Sequence, residues 1–403
     1  MKLYDTQSRQ LKEIDVTRKQ IQMYCCGPTV YRDAHVGNLR TFLLSDLIAR
    51  VVRLNGSHPY LIQNITDVGH MSEDFINDDK MLAQAKLEKV DPFEIARKYE
   101  AKFHQDLADL NIVPAAAYPR ASESIDLLLT LIGKLIDADF AYVGSDSSVY
   151  FSAQKFASYG AISGNKLDSL KPGHRYEYSE DGAKRFHADW ALWKAAGDRM
   201  EMVWESPWGK GFPGWHIECC AIALHYLEPD ENSETSIDIQ GGGSDLIFPH
   251  HEMSAAQGQI LQGRPFASHY VHAGMIGLDG VKMSKSLGNL VFVSKLVAAG
   301  REPMAIRWAL MESHFSTDRS WSEELLLEAE AWLVRLRRAL SMMETAPTDP
   351  VISAVIKAQS NNLDTPAALA AIKRWIELSE SGSNGGAPGE LSRALDTLLG
   401  LSI

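Results

Sequence analysis

The chain has 403 residues, 45% of them hydrophobic, so it can bury a sizeable core and form two or three domains. Its formal net charge of −12 argues against a broad nucleic-acid-binding surface, because such surfaces are basic. The N-terminal segment is polar and no apolar run approaches about 18 residues. We therefore expect neither a signal peptide nor a membrane span, and a cytoplasmic location.

The first elements predict a strand, a helix and a second strand. The segment "IQMYCC" is a short apolar strand that ends at Gly27-Pro28. In "RTFLLSDLIARVV" apolar residues recur at helical spacing until Asn55-Gly56, and "PYLIQNITD" follows as the next strand. This pattern predicts a βαβ unit, and with it an α/β fold with a parallel sheet.

Later segments differ in character. Residues 122–202 mix helical and short strand patterns and are interpreted as an insertion. Parallel-sheet patterns resume in "SIDIQGGGSDLIF" and "ASHYVHAGMI". After Asn289 we expect the chain to be helical to its end, because its apolar residues keep a helical period.

The stretch "YRDAHVGNLR" lies where the first strand gives way to the helix. His35, Gly37 and Asn38 stand at the helix N-terminus, where backbone N–H groups and the helix dipole favour a phosphate. Gly37 would permit close approach of a nucleotide. The same pattern also occurs in polar loops with a helix cap, so alone it leaves both interpretations open.

The stretch "GVKMSKSLGN" carries two lysines, Lys282 and Lys285, in a segment bounded by glycines. Two ammonium groups suit the negative charge that develops on a triphosphate as pyrophosphate leaves. A solvated surface loop is the alternative. Together with "HVGN" on a βαβ pattern, the stretch indicates the class I fold of enzymes that form aminoacyl-adenylates.

Four cysteines form two adjacent pairs, Cys25-Cys26 and Cys219-Cys220, which do not suggest a disulfide framework. By strand alternation and helical spacing, Cys25 and Cys220 fall on core faces, whereas Cys26 and Cys219 lie off them. His250 follows Pro249 at the predicted start of a helix. Cys26, Cys219 and His250 together offer two thiolates and an imidazole, which suits Zn²⁺.

The fourth position around such an ion has no obvious protein ligand. Ser254 lies one helical turn after His250, and a hydroxyl is a poor zinc ligand. Three protein ligands with one open position are typical of a zinc that binds a substrate. Such an ion beside an ATP site would bind a thiol as its thiolate and reject serine.

Four stretches resemble the class I cysteinyl-tRNA synthetase family, in particular its mycothiol cysteine ligase branch: "YCCGPTVYRDAHVGN", "GWHIECCA", "GGGSDLIFPHHE" and "KMSKSLGN". The resemblance covers nearly the whole chain. It implies that cysteine and ATP, with Mg²⁺, form cysteinyl-adenylate, and that an acceptor then takes the cysteinyl group.

The resemblance also implies a division into domains. The Rossmann-like catalytic domain would comprise residues 1–121 and 203–290, with the lysine loop in its second half. An inserted connective domain would span 122–202. A helical stem and a C-terminal helical bundle would span 291–403.

Residue roles are carried over by position from the family. The implied zinc ligands, for one ion per chain, are Cys26, Cys219 and His250. The residues implied around the bound cysteine are Thr66, Trp215 and Asp245. The residues implied in ATP binding are Thr29, His35, Gly37, Asn38, Gly243, Asp245, Lys282 and Lys285. Of these, the catalytic ones are His35, Asn38, Lys282 and Lys285. By itself, Trp215 would most often be a packed aromatic, and Asp245 would most often be a helix cap.

Three features favour a small acceptor, the amine of glucosaminyl-inositol. In "HHEMS" Ser254 stands where tRNA synthetases of the family usually have a glutamate. The C-terminal region resembles the ligase, and the chain ends at Ile403 without a further domain for the anticodon. The acidic charge also fits a small acceptor.

Other acceptors and one other class of function stay open. "GPTVYRDAHVGN" is closer to the synthetase pattern, which favours tRNA, and "NITDVGHMSED" departs from both patterns. A carrier protein or another small amine are further acceptors. An inactive paralogue that only binds cysteine, zinc or a partner protein is the alternative to an enzyme, and intact "HVGN" and "KMSKS" argue against it. We expect a monomer.

Overall fold

The computed structural model describes most of the chain and shows an α/β fold followed by helices. The described residues are 1–68, 79–170, 183–228, 233–278, 281–283 and 288–403, with Lys282 described by its backbone alone. The α/β class predicted from the sequence is confirmed. None of the described helices combines the length and the apolar character that a membrane crossing requires.

A parallel four-stranded sheet forms the centre of the fold, in the order β10-β9-β3-β4. Its strands are β3 Gln20–Cys25, β4 His58–Gln63, β9 Ile237–Gly243 and β10 Ala267–Ala273. Helix α1, Val36–Leu54, connects β3 to β4, so the predicted βαβ unit is confirmed. The carboxyl ends of these strands meet at one edge of the sheet, where open α/β sheets bind ligands.

Helices cover the sheet and frame that edge. They are α2 Lys80–Glu88, α3 Pro92–Asp109, α5 Trp215–Tyr226 and α6 Glu252–Gln262. Helix α3 begins at Pro92, which suits a first helical turn, and the side chain of Asp91 caps it by accepting the N–H of Phe93 at 2.8 Å.

The segment between the two halves of the sheet carries a second, antiparallel sheet, in the order β5-β6-β7-β8. It comprises β5 Ala141–Val143, β6 Val149–Phe151, β7 Trp190–Ala195 and β8 Gly211–Pro213, after helix α4 Ile125–Asp137. Its apolar core also includes Ile217 on α5 and Met253 on α6. The insertion therefore packs directly on the helices that carry the candidate metal ligands.

The C-terminal region is mostly helical, with one departure from the sequence prediction. Its helices are α7 Val293–Ala298, α8 Pro303–Met311, α9 Glu323–Leu340, α10 Asp349–Ser360, α11 Thr365–Glu380 and α12 Pro388–Leu399. The expectation of helix throughout is wrong at β13, Arg319–Trp321, which pairs in parallel with β11, Ile276–Leu278. Three residues are too few to show a strand period, so only their pairing partner determines this strand.

A buried ion-pair network joins the C-terminal helices to the sheet domain. The carboxylate of Asp46 on α1 receives Arg50 at 2.9 Å and is also in contact with Arg307 on α8. Arg307 donates in addition to the carbonyl oxygen of Leu399 on α12 at 2.6 Å. Truncating any one partner would leave a buried charge unpaired, which is strongly destabilising. The network therefore holds the C-terminal helices against α1.

An N-terminal hairpin, β1 Lys2–Asp5 and β2 Gln10–Glu13, lies against the edge strand β10. The N–H of Thr6 donates to the carbonyl oxygen of Tyr270 at 2.8 Å, and Asp5 accepts the N–H of Tyr270 at 2.9 Å. The hairpin thus covers backbone groups at the edge of the sheet and brings Thr6 next to β10.

Candidate active site

Two cysteines and one histidine meet at the carboxyl edge of the sheet. Cys26 directly follows β3, Cys219 lies on α5, and His250 lies in the segment before α6. Their ligand atoms all lie within 4.8 Å of one another, and all three side chains are buried. The structure therefore brings together the three zinc ligands expected from the sequence, out of stretches that are far apart in the chain.

The two thiols of this cluster differ in their electrostatics. Burial acts to raise the pKa of Cys219, but the thiol of Cys26 and the ring of His250 outweigh it, and that pKa lies well below its usual value. Burial raises the pKa of Cys26 well above its usual value, and the neighbouring Cys219 raises it further. A thiolate at Cys219 is the form that binds a metal ion.

His250 presents one ring nitrogen to the cluster. Its Nδ1 lies 2.9 Å from Nδ1 of His216, and its ring stacks on Trp215 at 4.2 Å between centroids. Its Nε2 is buried and has no hydrogen-bond partner within the described part of the chain. A buried, unpartnered imidazole nitrogen beside two thiols fits a metal ligand.

The segment around His250 agrees with the sequence prediction. We expected a helix to open at His250, with Ser254 one turn later. Phe248 is the non-helical residue of Ile247–His251, and the helical backbone after it continues into α6, which begins at Glu252. The hydroxyl of Ser254 donates to the carbonyl oxygen of His216 at 3.2 Å, so Ser254 ties α6 to α5.

His251 is a site residue that the sequence analysis missed. Its Nε2 lies 3.2 Å from Sγ of Cys26, and its Nδ1 lies 2.7 Å from Nε2 of His272. His272 continues the chain through Nδ1 to the hydroxyl of Thr6 at 2.7 Å. Burial lowers the pKa of His272 to about 3, and it lowers the pKa of His251 well below its usual value, so both rings are neutral.

His35 caps helix α1 with its own ring. Nδ1 accepts the backbone N–H of Gly37 at 3.1 Å and that of Asn38 at 3.4 Å, while the side chain of Asn38 accepts the N–H of His35. Burial, aided by the charge of Arg32, lowers the pKa of His35 to about 4. The ring is therefore neutral, and its proton is on Nε2, which is left to act as a donor.

This cap corrects two expectations for the nucleotide site. The backbone N–H groups of Gly37 and Asn38 are not free for a phosphate, because the ring of His35 accepts both. A Cβ atom at Gly37 would lie 2.9 Å from Nδ1 of His35, so glycine here makes room for the ring. The donor that this motif offers to a phosphate is consequently Nε2 of His35.

The residues expected around the substrates lie on neighbouring strand ends. Thr29 pairs with Thr66 in a parallel bridge that extends β3 and β4. Asp245 follows β9, and a Cβ atom at Gly243 would lie 2.5 Å from its Oδ1, so only glycine leaves room for that carboxylate. Trp215 is the first residue of α5 and covers His250.

Asn64, after β4, is a second residue that the sequence analysis missed. Its Oδ1 accepts the hydroxyl of Tyr24 at 3.0 Å and the N–H of Gly27 at 2.9 Å. Its amide nitrogen donates to Oγ1 of Thr66 at 3.0 Å. A single buried amide thus fixes the turn after Cys26 relative to Thr66.

The lysine stretch is only partly described. The backbone of Lys282 belongs to strand β12, Val281–Lys282, which pairs with β11. The side chain of Lys282 and the whole of Lys285 lie outside the described residues. Their roles at the triphosphate therefore stay predictions.

Comparison with known proteins gives the family. Residues 12–331 match the family described as "tRNA synthetases class I (C) catalytic domain". The L-cysteine:1D-myo-inositol 2-amino-2-deoxy-alpha-D-glucopyranoside ligase of Nocardiopsis dassonvillei is 41% identical over 387 residues, which cover 94% of this chain and 90% of that protein. The chain belongs to this family.

A second ligase of the same name, from Mycobacterium leprae, is 40% identical over 415 residues, which cover 100% of this chain and 96% of that protein. The family and the ligase class that we predicted from the sequence motifs are thereby confirmed.

Solved class I tRNA synthetases share the fold of this ligase-family chain. Methionyl-tRNA synthetase of Mycobacterium tuberculosis, bound by methionyl-adenylate, has a TM-score of 0.63 at 17% identity, over 95% of this chain and 92% of that chain. Leucyl-tRNA synthetase of Agrobacterium radiobacter K84, in a ternary complex, has a TM-score of 0.67 at 11% identity, over 95% and 84%. At these identities the likeness concerns the fold alone.

Proposed function

We propose that this chain activates L-cysteine with ATP and transfers the cysteinyl group to the amine of glucosaminyl-inositol, the reaction that the names of its relatives describe. The observation that carries the proposal is the buried cluster of Cys26, Cys219 and His250 beside a nucleotide signature. A thiol-binding metal site in this fold favours cysteine as the amino acid.

Cys26, Cys219 and His250 would hold one zinc ion. A bound zinc ion supplies the Lewis acidity that favours a substrate thiolate over a thiol. Among the described residues the cluster offers three ligands, and Ser254, a poor zinc ligand, donates its hydroxyl to the carbonyl oxygen of His216, so one position would be left for the substrate sulfur. A serine hydroxyl is a far weaker ligand, so the site selects cysteine.

Residues around the cluster would hold the rest of the amino acid. Trp215 stacks on His250 and forms an apolar wall beside the sulfur position. Thr66 and Asp245, beyond the ends of β4 and β9 on either side of β3, would provide polar groups for the amino acid and the adenylate. Each lies at an element end that packing fixes, which keeps the substrate carboxylate oriented toward ATP.

His35 would donate its Nε2 proton to a phosphate oxygen while the cysteine carboxylate attacks the α-phosphorus of ATP. As the bond between the α-phosphorus and pyrophosphate breaks, negative charge moves onto the pyrophosphate. The Mg²⁺ ion would enter the site together with ATP. We propose that the ammonium groups of Lys282 and Lys285 stabilise this charge, and that Asn38 orients His35 through the cap.

In the second step the acceptor amine attacks the carbonyl carbon of cysteinyl-adenylate, and AMP leaves. The alternative acceptor is the terminal ribose hydroxyl of tRNA, which the synthetase-like stretch "GPTVYRDAHVGN" favours. Both acceptors use the same adenylate, so the first step is common to them.

Two assays test the proposal in sequence. The zinc-loaded protein should catalyse exchange between ATP and pyrophosphate that depends on cysteine and not on serine. Enzyme preloaded with cysteine and ATP should then be offered glucosaminyl-inositol and tRNA separately. Absence of exchange contradicts cysteine activation, whereas transfer to tRNA alone contradicts only the amino-sugar acceptor.

A further inference from the structure

Glu218 is a buried acid next to Cys219 of the candidate metal site. It lies on α5 between Trp215 and Cys219, and its residue surface is 0% exposed. Neither of its two carboxyl oxygens has a hydrogen-bond partner in the part of the chain that the structure describes. On a helix Glu218 shares a face with Trp215, three residues earlier, and both flank Cys219.

A second buried glutamate near the site shows that the fold can satisfy such a group. Glu252 on α6 is 1% exposed, and its carboxylate accepts three backbone N–H groups, from Gly160 at 3.0 Å, Ile162 at 3.1 Å and Ser163 at 2.8 Å. An unsatisfied buried polar group costs about 1–3 kcal/mol, and more for a charge. Glu218 therefore lowers stability unless another molecule binds it.

The charges around Glu218 indicate the chemistry of that molecule. The charged groups that act on it, besides Cys219, are Asp67, Asp79 and Lys194. Asp67 is held by Arg97 at 2.7 Å and by Ser122, and Asp79 pairs with Arg199 at 2.9 Å. Because both acids are already paired, the carboxyl group of Glu218 is left to accept from a ligand with N–H donors or a positive charge.

We propose that Glu218 receives the primary amine of a substrate at this site. This inference rests on the proposed function, since a cysteine whose sulfur occupies the open position beside Cys26, Cys219 and His250 has its amine only three bonds from that sulfur. The acceptor amino sugar carries the same chemical group. Both amines must come close to the adenylate carbonyl, which is attached to the carbon that bears the cysteine amine.

The variant Glu218→Gln tests this assignment, because it keeps the shape of the side chain but cannot form the carboxylate that would bind an amine. If the cysteine amine binds Glu218, KM for cysteine in ATP–pyrophosphate exchange should rise at least about tenfold, with KM for ATP unchanged. If the acceptor amine binds it, exchange should stay normal and KM for the acceptor should rise. Values of both constants within about twofold of wild type would overturn the proposal.

Two measurements separate this role from a structural one. Glu218→Met removes the buried acid altogether, and a purely structural Glu218 predicts higher thermal stability with unchanged KM values. The matched control is Gln359→Met in α10, another fully buried side chain whose polar atoms have no partner in the described chain. It should change stability without changing any KM. Zinc content should stay the same in all variants, and failure of wild-type exchange would contradict the proposed function instead.

Discussion

At the scale of single residues, two adjacent cysteines on α5 have different surroundings. Cys219 lies with its Sγ among the atoms of Cys26 and His250. Cys220 is also fully buried, but it is not part of that group of ligand atoms, and burial raises its pKa. One thiol is placed to bind a metal ion, and its neighbour packs as a small apolar side chain.

The pair provides a matched test of the metal site. Cys219→Ala should reduce bound zinc from one ion per chain to nearly none and abolish cysteine binding, because a ligand is lost. ATP binding should persist. Cys220→Ala should keep zinc and activity and cost about 1 kcal/mol of stability. Atomic absorption measures the zinc content, and calorimetry measures the affinity for cysteine. Full zinc occupancy in Cys219→Ala would refute the assignment of Cys219 as a zinc ligand.

The ring of His35 combines two roles that substitution can separate. Nδ1 caps α1, while Nε2 is the donor left for a phosphate. An asparagine at this position could accept the same backbone N–H groups but would lack the Nε2 donor. Loss of the cap and loss of the donor should therefore have different effects, which the variants His35→Asn and His35→Ala separate.

His35→Asn should keep the free energy of unfolding close to that of the wild type, whereas His35→Ala should lose about 1 kcal/mol with the cap. Both should slow cysteine-dependent ATP–pyrophosphate exchange about 100-fold, because a donor to the transition state is missing. Urea titration and exchange kinetics measure the two effects. An asparagine variant with wild-type exchange would show that His35 only caps the helix.

At the scale of elements, the site depends on how α6 is held at its N-terminus. Glu252, two residues after His250, accepts backbone N–H groups from the loop at residues 160–163 of the insertion. Met253 and Ala256 on the same helix pack in the core of the insertion. The insertion thus fixes the helix that follows the histidine pair.

Replacing this anchor should loosen the segment that carries His250. The variant Glu252→Gln removes the negative charge and replaces one of the two oxygens that accept the three N–H groups. We expect it to lower the free energy of unfolding by about 2–3 kcal/mol. Zinc affinity should fall as well, since the position of His250 becomes less defined. Urea titration and competition with a chelator give both values, and unchanged zinc affinity despite the lower stability would contradict the coupling.

At the scale of the whole molecule, buried histidines make the stability of the fold depend on pH. Burial lowers the pKa of His35 and of His269 to about 4, against an ordinary value of 6.5. The unfolded chain therefore binds more protons than the folded chain between about pH 6.5 and pH 4, and each such histidine lowers stability as the pH falls through that window. Asp106 acts in the opposite direction, because burial raises its pKa to about 7.

A single substitution isolates one of these opposing contributions. His269 is 3% exposed on β10, and its Nε2 has no partner within the described ranges. The free energy of unfolding of His269→Gln, compared with that of the wild type, should rise by about 2 kcal/mol as the pH falls from 7 to 4.5. The reason is that the variant lacks a buried group that resists protonation. Urea titrations at several pH values measure this difference, and a constant difference would contradict the assignment.

Local patterns in the sequence were sufficient for the βαβ unit and for the choice between neighbouring cysteines. Alternation and helical spacing assigned Cys25 and Cys220 to the core and left Cys26 and Cys219 free to bind, because side-chain direction follows from backbone period. The family followed from stretches that are specific enough to be compared position by position.

Contacts between distant segments were not accessible in this way. The hydrogen bond from Ser254 to His216, the chain from Cys26 through His251 and His272 to Thr6, and the short strand at 319–321 each join residues far apart in sequence. The sequence left open whether the stretch around His35 forms a helix cap, and only the structure shows that the ring of His35 accepts the two backbone N–H groups.

The sequence by itself determined the fold class, the family and the residue types of a thiol-binding metal site, because these depend on period, composition and motif. Only the tertiary structure decided which ring nitrogen of His250 is left for a metal ion, which atom of His35 is left for a phosphate, and that Glu218 has no hydrogen-bond partner among the described residues. The physical reason is that hydrogen-bond satisfaction is a property of the packed molecule: each buried donor or acceptor is paired or left open by groups that the chain brings together from elsewhere.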